Sequence, residues 1–124
     1  MARILIVDDN EEIRSLYRYI LSAERFEVLI ADNGNDALRL AVSQSPDLIL
    51  LDVAMPGMDG AETARFLSDN EKTRNIPVVF LTCLIEENEA SLKGGKIGGK
   101  LYISKATGKD EFIARIKEIL KEKK

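Results

Sequence analysis

The sequence predicts an α/β protein in which five strand–helix pairs wind around a parallel sheet, with helices on both faces. Three observations carry this. Short apolar runs alternate with segments of helical periodicity along the whole chain. Strict alternation of strand and helix gives parallel strands joined by crossovers. A length of 124 residues fits one domain with a single core, taken here as residues 1–124.

The elements follow in order. "RILIVDD" (3–9) begins with Ile4, Ile6 and Val7, an apolar run that favours a strand. Ile13, Leu16, Tyr17, Ile20 and Leu21 then recur at the spacing of one helix face. "FEVLIAD" (26–32) is a second strand, and "NGNDALRLAVSQ" (33–44) opens on turn residues and presents Ala37, Leu38 and Ala41 on a helix. Pro46 separates it from "LILLD" (48–52), the third strand. "VAMPGMDG" (53–60) is dense in breakers and reads as a loop, before a helix with the helical set Ala61, Ala64 and Leu67. "IPVVFLT" (76–82) is a fourth strand, a weaker helix covers about 86–96, and "LYIS" (101–104) is a short fifth strand. Phe112, Ile113, Ile116, Ile119 and Leu120 define the apolar face of the last helix.

Strand character predicts the sheet order. The runs ending at Asp8, Asp52 and Thr82 are almost continuously apolar, as strands buried on both faces require, whereas "FEVLIAD" and "LYIS" are mixed or short and suit the edges. The order 2-1-3-4-5 satisfies this and reverses between the first and third strands. Ligands of open α/β sheets bind at the carboxyl ends of strands beside such a reversal.

Composition narrows the chemistry. Apolar residues make up 45% and charged residues 31%, an ordinary globular composition, and the net charge of −3 has no basic stripe that would suit nucleic acid. The lysine-rich end "KEILKEKK" reads as a solvated helix terminus. With no histidine, a Ser-His-Asp or Cys-His mechanism, an imidazole zinc site and a phosphohistidine-donor role are all excluded. The one cysteine, Cys83, cannot form an internal disulfide. "MARILIVDDN" reaches acidic residues too early for a signal peptide, and no apolar run is long enough to span a membrane. A cytoplasmic protein is expected.

The strand ends nearest the reversal deliver three carboxylates, one hydroxyl and one ammonium: Asp8-Asp9, Asp52, Thr82 and Lys105. Clustered carboxylates repel one another, and a hard divalent cation such as Mg²⁺ resolves the repulsion through oxygen ligands. Metal and lysine together would neutralise an incoming phosphoryl group, whose transfer needs mainly positioning and electrostatic cover. A carboxylate can be the nucleophile, forming an acyl phosphate.

"LIVDDN", "LILLDVAMPGMDG", "VVFLT" and "YISK" resemble the receiver domain of two-component response regulators, of the single-domain chemotaxis or phosphorelay type, and the resemblance covers essentially the whole chain. It implies the flavodoxin-like receiver fold, with Asp52 as phosphoacceptor. It also implies Mg²⁺ held by Asp8, Asp9, Asp52 and the backbone carbonyl of Ala54, a hydrogen bond from Thr82 to the phosphoryl group, and an ion pair from Lys105. Tyr102 matches the aromatic that swings inward on activation. The phosphoryl donor would be a histidine kinase or phosphotransfer protein. The effector would dock on the fourth helix, the fifth strand and the last helix, with the chain a monomer or a weak dimer on activation. Such a chain is a phosphoacceptor rather than an enzyme proper. Moving a two-state equilibrium from 1:99 to 99:1 takes about 5.5 kcal/mol, and hydrogen bonds to a charged group supply roughly 1.5–3 kcal/mol each.

Several features depart from that pattern. "GGKIGGKL" (94–101) nearly completes a Walker loop, but Leu101 replaces the hydroxyl, and the segment is expected to end a helix and enter an edge strand. Gly94 and Gly95 replace helical positions at about 1 kcal/mol each, so the fourth helix is expected to end early or fray. Lys105-Ala106 stands where the family has Lys-Pro with a cis bond, and a cis bond before a non-proline residue costs about 2.5–4 kcal/mol. Neither Ala54 nor Leu84 is polar enough to position a hydrolytic water. Two rivals remain: a pseudo-receiver that binds without switching, and a Mg²⁺-dependent phosphatase. The phosphatase would want D-x-D where "VDDNE" has adjacent aspartates.

Overall fold

The computed structural model describes residues 2–52, 60–82, 96–97, 100–105 and 107–122; at Thr82, Lys96, Ile97, Lys100 and Glu122 the description is of the backbone. The elements are β1 (Arg3–Val7), α1 (Glu11–Ala23), β2 (Glu27–Ala31), α2 (Gly34–Gln44), β3 (Leu48–Asp52), α3 (Gly60–Asp69), β4 (Val78–Thr82), β5 (Lys96–Ile97), β6 (Lys100–Ser104) and α4 (Lys109–Glu122). The sheet order is β2-β1-β3-β4-β6-β5. Its five long strands are parallel in the predicted 2-1-3-4-5 arrangement, while the two-residue β5 adds an antiparallel outer edge.

That edge corrects one expectation. Lys96 pairs with Leu101 and Ile97 with Lys100, so the helix predicted through 96 has given way to a hairpin by that residue. Only Gly98 and Gly99 separate the paired residues, and a Gly-Gly spacer of two is a strong hairpin signal. Among its described residues the Walker-like segment carries strand at Lys96–Ile97 and from Lys100, and no helix N-terminus to face a phosphate. Residues 83–95, including Cys83, Leu84, Gly94, Gly95 and most of the expected fourth helix, lie outside the described residues.

Alternation of side chains sorts the core onto two faces of the sheet. Ile4, Ile6, Leu48, Leu50, Val79, Leu81 and Ile103 meet Tyr17, Ile20 and Leu21 of α1 and Phe112, Ile113, Ile116 and Ile119 of α4. Leu5, Val7, Ile49, Leu51 and Phe80 meet Ala37 and Ala41 of α2 and Ala64 and Leu67 of α3. Every residue of β3 is buried, which explains its uninterrupted apolar sequence up to Asp52.

Helix ends are fixed locally. Asn10 caps α1, its side chain accepting from the Ile13 N–H at 3.2 Å, and Asn33 caps α2, accepting from Asp36 at 2.8 Å. Beyond α1, the Arg25 N–H donates to the Ser22 carbonyl at 3.0 Å and the Phe26 N–H to the Leu21 carbonyl at 3.2 Å. This is a Schellman motif, with Arg25 at φ 69° where glycine is preferred.

Candidate functional site

The register of the sheet brings the site together. Val7 pairs with Leu51, Asp52 with Leu81, and Thr82 with Ser104, so β1, β3, β4 and β6 all end at one rim. Asp8 and Asp9 leave β1 there, Asp52 ends β3, and Lys105 follows β6. The chain turns sharply after β6, where the Thr107 N–H donates to the Ser104 carbonyl at 3.0 Å and α4 begins at Lys109.

Side-chain oxygens of Asp8, Asp9 and Asp52 lie within 4.8 Å of one another. Asp8 is 1% exposed and Asp52 7%, whereas Asp9 is open to solvent. Lys105 answers this concentration of charge. Its Nζ donates to Asp8 Oδ2 at 3.0 Å and to Asp52 Oδ1 at 3.3 Å. Burial is the largest influence on the ammonium and lowers its pKa, but the hydrogen bonds and charges of Asp8 and Asp52 together outweigh it, and the net shift is upward. The second oxygen of Asp8 accepts from the Asn10 N–H at 2.9 Å, so the residue that caps α1 also orients the carboxylate.

The donor set is all oxygen, two thirds of it shielded from water, and it carries more negative charge than one lysine neutralises. Those properties fit a hard divalent cation with some of its own waters retained. Within the described residues Asp8, Asp9 and Asp52 could hold such an ion.

Other residues singled out from the sequence are placed as follows. The Thr82 backbone stands at the rim opposite Ser104, but its side chain lies outside the described residues, as do Ala54 and Ala106 and so the peptide bond after Lys105. Tyr102 is half-buried on β6, its ring stacked on Phe80 with centroids 5.2 Å apart. Its carbonyl accepts from Arg115 of α4 at 3.3 Å. One residue at the site escaped the sequence reading. Arg14 reaches back from α1 to donate to the Asp8 carbonyl at 2.8 Å. The available signal was position, since Arg14 stands one helical turn after Asn10.

Residues 4–117 match the response regulator receiver domain family. The chain is 40% identical over 118 residues to the phosphate regulon transcriptional regulatory protein PhoB of Pseudomonas aeruginosa, covering 95% of this chain and 51% of that protein, so it spans about half the length of that relative. It is 36% identical over 118 residues to the polar-differentiation response regulator DivK of Brucella anthropi, covering 94% of both. Among solved structures, the receiver domain of the sensor histidine kinase PA1611 from Pseudomonas aeruginosa superposes with a TM-score of 0.76 at 28% identity, over 98% of this chain and 95% of that one. That structure holds a magnesium ion coordinated in its active site cleft. A doubly wound sheet with this strand order, an acidic pocket at its switch point and a lysine bridging that pocket are what such a relationship requires. The chain belongs to the response regulator receiver domain family of two-component signalling.

Proposed function

We propose that this chain is a phosphorylation-activated receiver unit, extending over residues 1–124, that accepts a phosphoryl group on Asp52. The observation that carries the reading is the Lys105 ammonium set between Asp8 and Asp52, with three carboxylates gathered at one rim of the sheet. A pocket that only stabilised the fold would not keep this surplus of negative charge.

The donor is a phosphohistidine on a histidine kinase or phosphotransfer protein. A carboxylate oxygen of Asp52 attacks phosphorus, the P–N bond to the donor imidazole breaks, and an acyl phosphate forms. Mg²⁺, when held by Asp8, Asp9, Asp52 and the Ala54 carbonyl, supplies charge neutralisation for the phosphoryl oxygens. The magnesium in the PA1611 receiver supports that assignment. Lys105 moves from its contact with the Asp52 carboxylate to the new phosphoryl group while Asp8 keeps it nearby. Asn10 and Arg14 fix the segment carrying Asp8, so the lysine moves against a stationary anchor. Thr82 donates to the phosphoryl group, and Tyr102 reports the change toward the expected effector face, to which β6 and α4 contribute. That face receives the effector. The phosphoryl-bearing chain is a monomer or weak dimer, and it works in the cytoplasm; no helix among the described residues is long and apolar enough to cross a membrane.

Amide spectra recorded with Mg²⁺, with and without beryllofluoride as a phosphoryl mimic, test the switch. The reading expects shifts at Asp52 and also through Tyr102 and along α4. Shifts confined to the pocket would favour a binding module that does not switch.

A further inference from the structure

The peptide between Asp8 and Asp9 lies past the end of the β1–β2 ladder, yet it is held. The Asp8 N–H still donates to the Ala31 carbonyl of β2 at 3.2 Å. β2 ends at that residue, and among the described residues none of its amides reaches the Asp8 carbonyl. Asp8 is almost fully buried, where a carbonyl without a donor is costly. Arg14 supplies the donor from α1, with Nη1 at 2.8 Å. The next peptide is held as well, since the Asn10 N–H donates to Asp8 Oδ1 at 2.9 Å. Asp9 thus stands between two fixed peptides, its φ set by Arg14 on one side and its ψ by the Asp8 carboxylate on the other. The Asp9 carboxylate is exposed and makes no hydrogen bond or ion pair among the described residues. It nonetheless places an oxygen within 4.8 Å of those of Asp8 and Asp52. Its aim comes from the backbone, because φ and ψ decide which rotamers a side chain can adopt.

We propose that Arg14 is a positioning residue of the cation site: by fixing the Asp8–Asp9 peptide it keeps the Asp9 carboxylate aimed at the oxygens of Asp8 and Asp52. Lys105 already restrains those two carboxylates, so Asp9 is the member of the cluster that depends on Arg14. This role opposes the effect of the guanidinium's charge. A fixed cation beside the cluster repels a divalent ion, so on charge alone removing Arg14 would tighten binding. Losing the aim of Asp9 weakens it. The two effects differ in sign, which makes the role measurable. The consequence for affinity rests on the acidic cluster being the cation site; the hold on Asp9 in the metal-free protein does not.

Arg14→Met keeps a stem of good helix propensity and removes every donor. The first measurement is the Asp9 χ1 population in the Mg²⁺-free protein, read from side-chain scalar couplings by NMR. One rotamer is expected to dominate in the wild type and to lose that dominance in Arg14→Met. The second is Mg²⁺ affinity by isothermal titration, expected to be about threefold to tenfold weaker in Arg14→Met. Arg14→Gln, neutral and shorter, is expected to repeat both effects. Unchanged Asp9 rotamers, or Mg²⁺ binding as tight as in the wild type or tighter, overturn the proposal and leave the cation reading standing. Wild-type protein that bound no Mg²⁺ would instead remove the cation reading, and the metal-free rotamers would decide whether Arg14 aims Asp9.

Discussion

At the scale of single residues, the site depends on Asp8 more than on its exposed neighbour. Asp8 holds Lys105 through one oxygen and the Asn10 amide through the other, and it is almost fully buried. Asp8→Asn keeps an acceptor for that amide but removes a charge from the oxygen cluster. Mg²⁺ affinity should fall by about tenfold or more, as expected when the charge count of a hard-cation site drops; isothermal titration of the two proteins reads this directly. Asp8, Asp9, Asp52 and Lys105 were legible in the sequence because each ends or follows an apolar strand. Arg14 was not. On a helix, a lone arginine looks like a solvated charge. Only the fold reveals that it reaches back to the Asp8 carbonyl at the end of β1.

At the scale of elements, helix ends offer sharper tests than helix middles. Arg25 occupies the left-handed position of the motif closing α1, a conformation that costs an L-residue with a Cβ roughly 1–2 kcal/mol. Arg25→Gly should raise stability by about 0.5–1 kcal/mol once the greater freedom of the unfolded chain is deducted, seen as a higher urea midpoint at unchanged slope. The start of α2 gives a pH test. The side-chain hydrogen bond from Asn33 is the main cause, with Arg39 second, of an Asp36 carboxyl held below its ordinary value of 3.8. A depressed carboxyl stabilises the fold above its unfolded-state pKa, and the contribution is lost as pH falls through the folded value. Asp36→Asn should therefore flatten the acid limb of the stability profile below about pH 4 and change little at neutral pH. Asn33→Ala should cost about 1 kcal/mol at pH 7 through loss of the cap.

Element boundaries were also where the sequence was hardest to read. β3 was placed to the residue because burial on both faces leaves four apolar positions, Leu48 to Leu51, between Pro46 and Asp52. β5 was missed, since two residues carry no periodicity and Gly94 and Gly95 drew attention to a fraying helix. Gly98-Gly99 was the usable signal, a spacer of hairpin length between Lys96-Ile97 and Lys100-Leu101.

At the scale of the whole molecule, the sheet order was recoverable because buried and edge strands differ in composition, and the order then pointed to the rim where Asp8, Asp9, Asp52 and Lys105 gather. Binding to the folded state alone raises stability by about 2.7 kcal/mol at a ligand concentration one hundred times Kd. Mg²⁺ should accordingly raise the melting temperature of the wild-type protein, a chelator should reverse the rise, and Asp8→Asn should show little of it. What no reading of one chain supplies is the partner, because recognition resides in surfaces whose complement is another molecule.

The central claim is that Asp52 takes up a phosphoryl group with the help of the cation site. Intact mass after incubation with acetyl phosphate, with and without Mg²⁺ and alongside Asp52→Ala, tests it most directly. The account predicts one phosphoryl adduct that needs Mg²⁺ and is absent from the variant. An adduct that persists in Asp52→Ala, or a wild-type protein that acquires none under conditions where it binds Mg²⁺ and beryllofluoride, would contradict it.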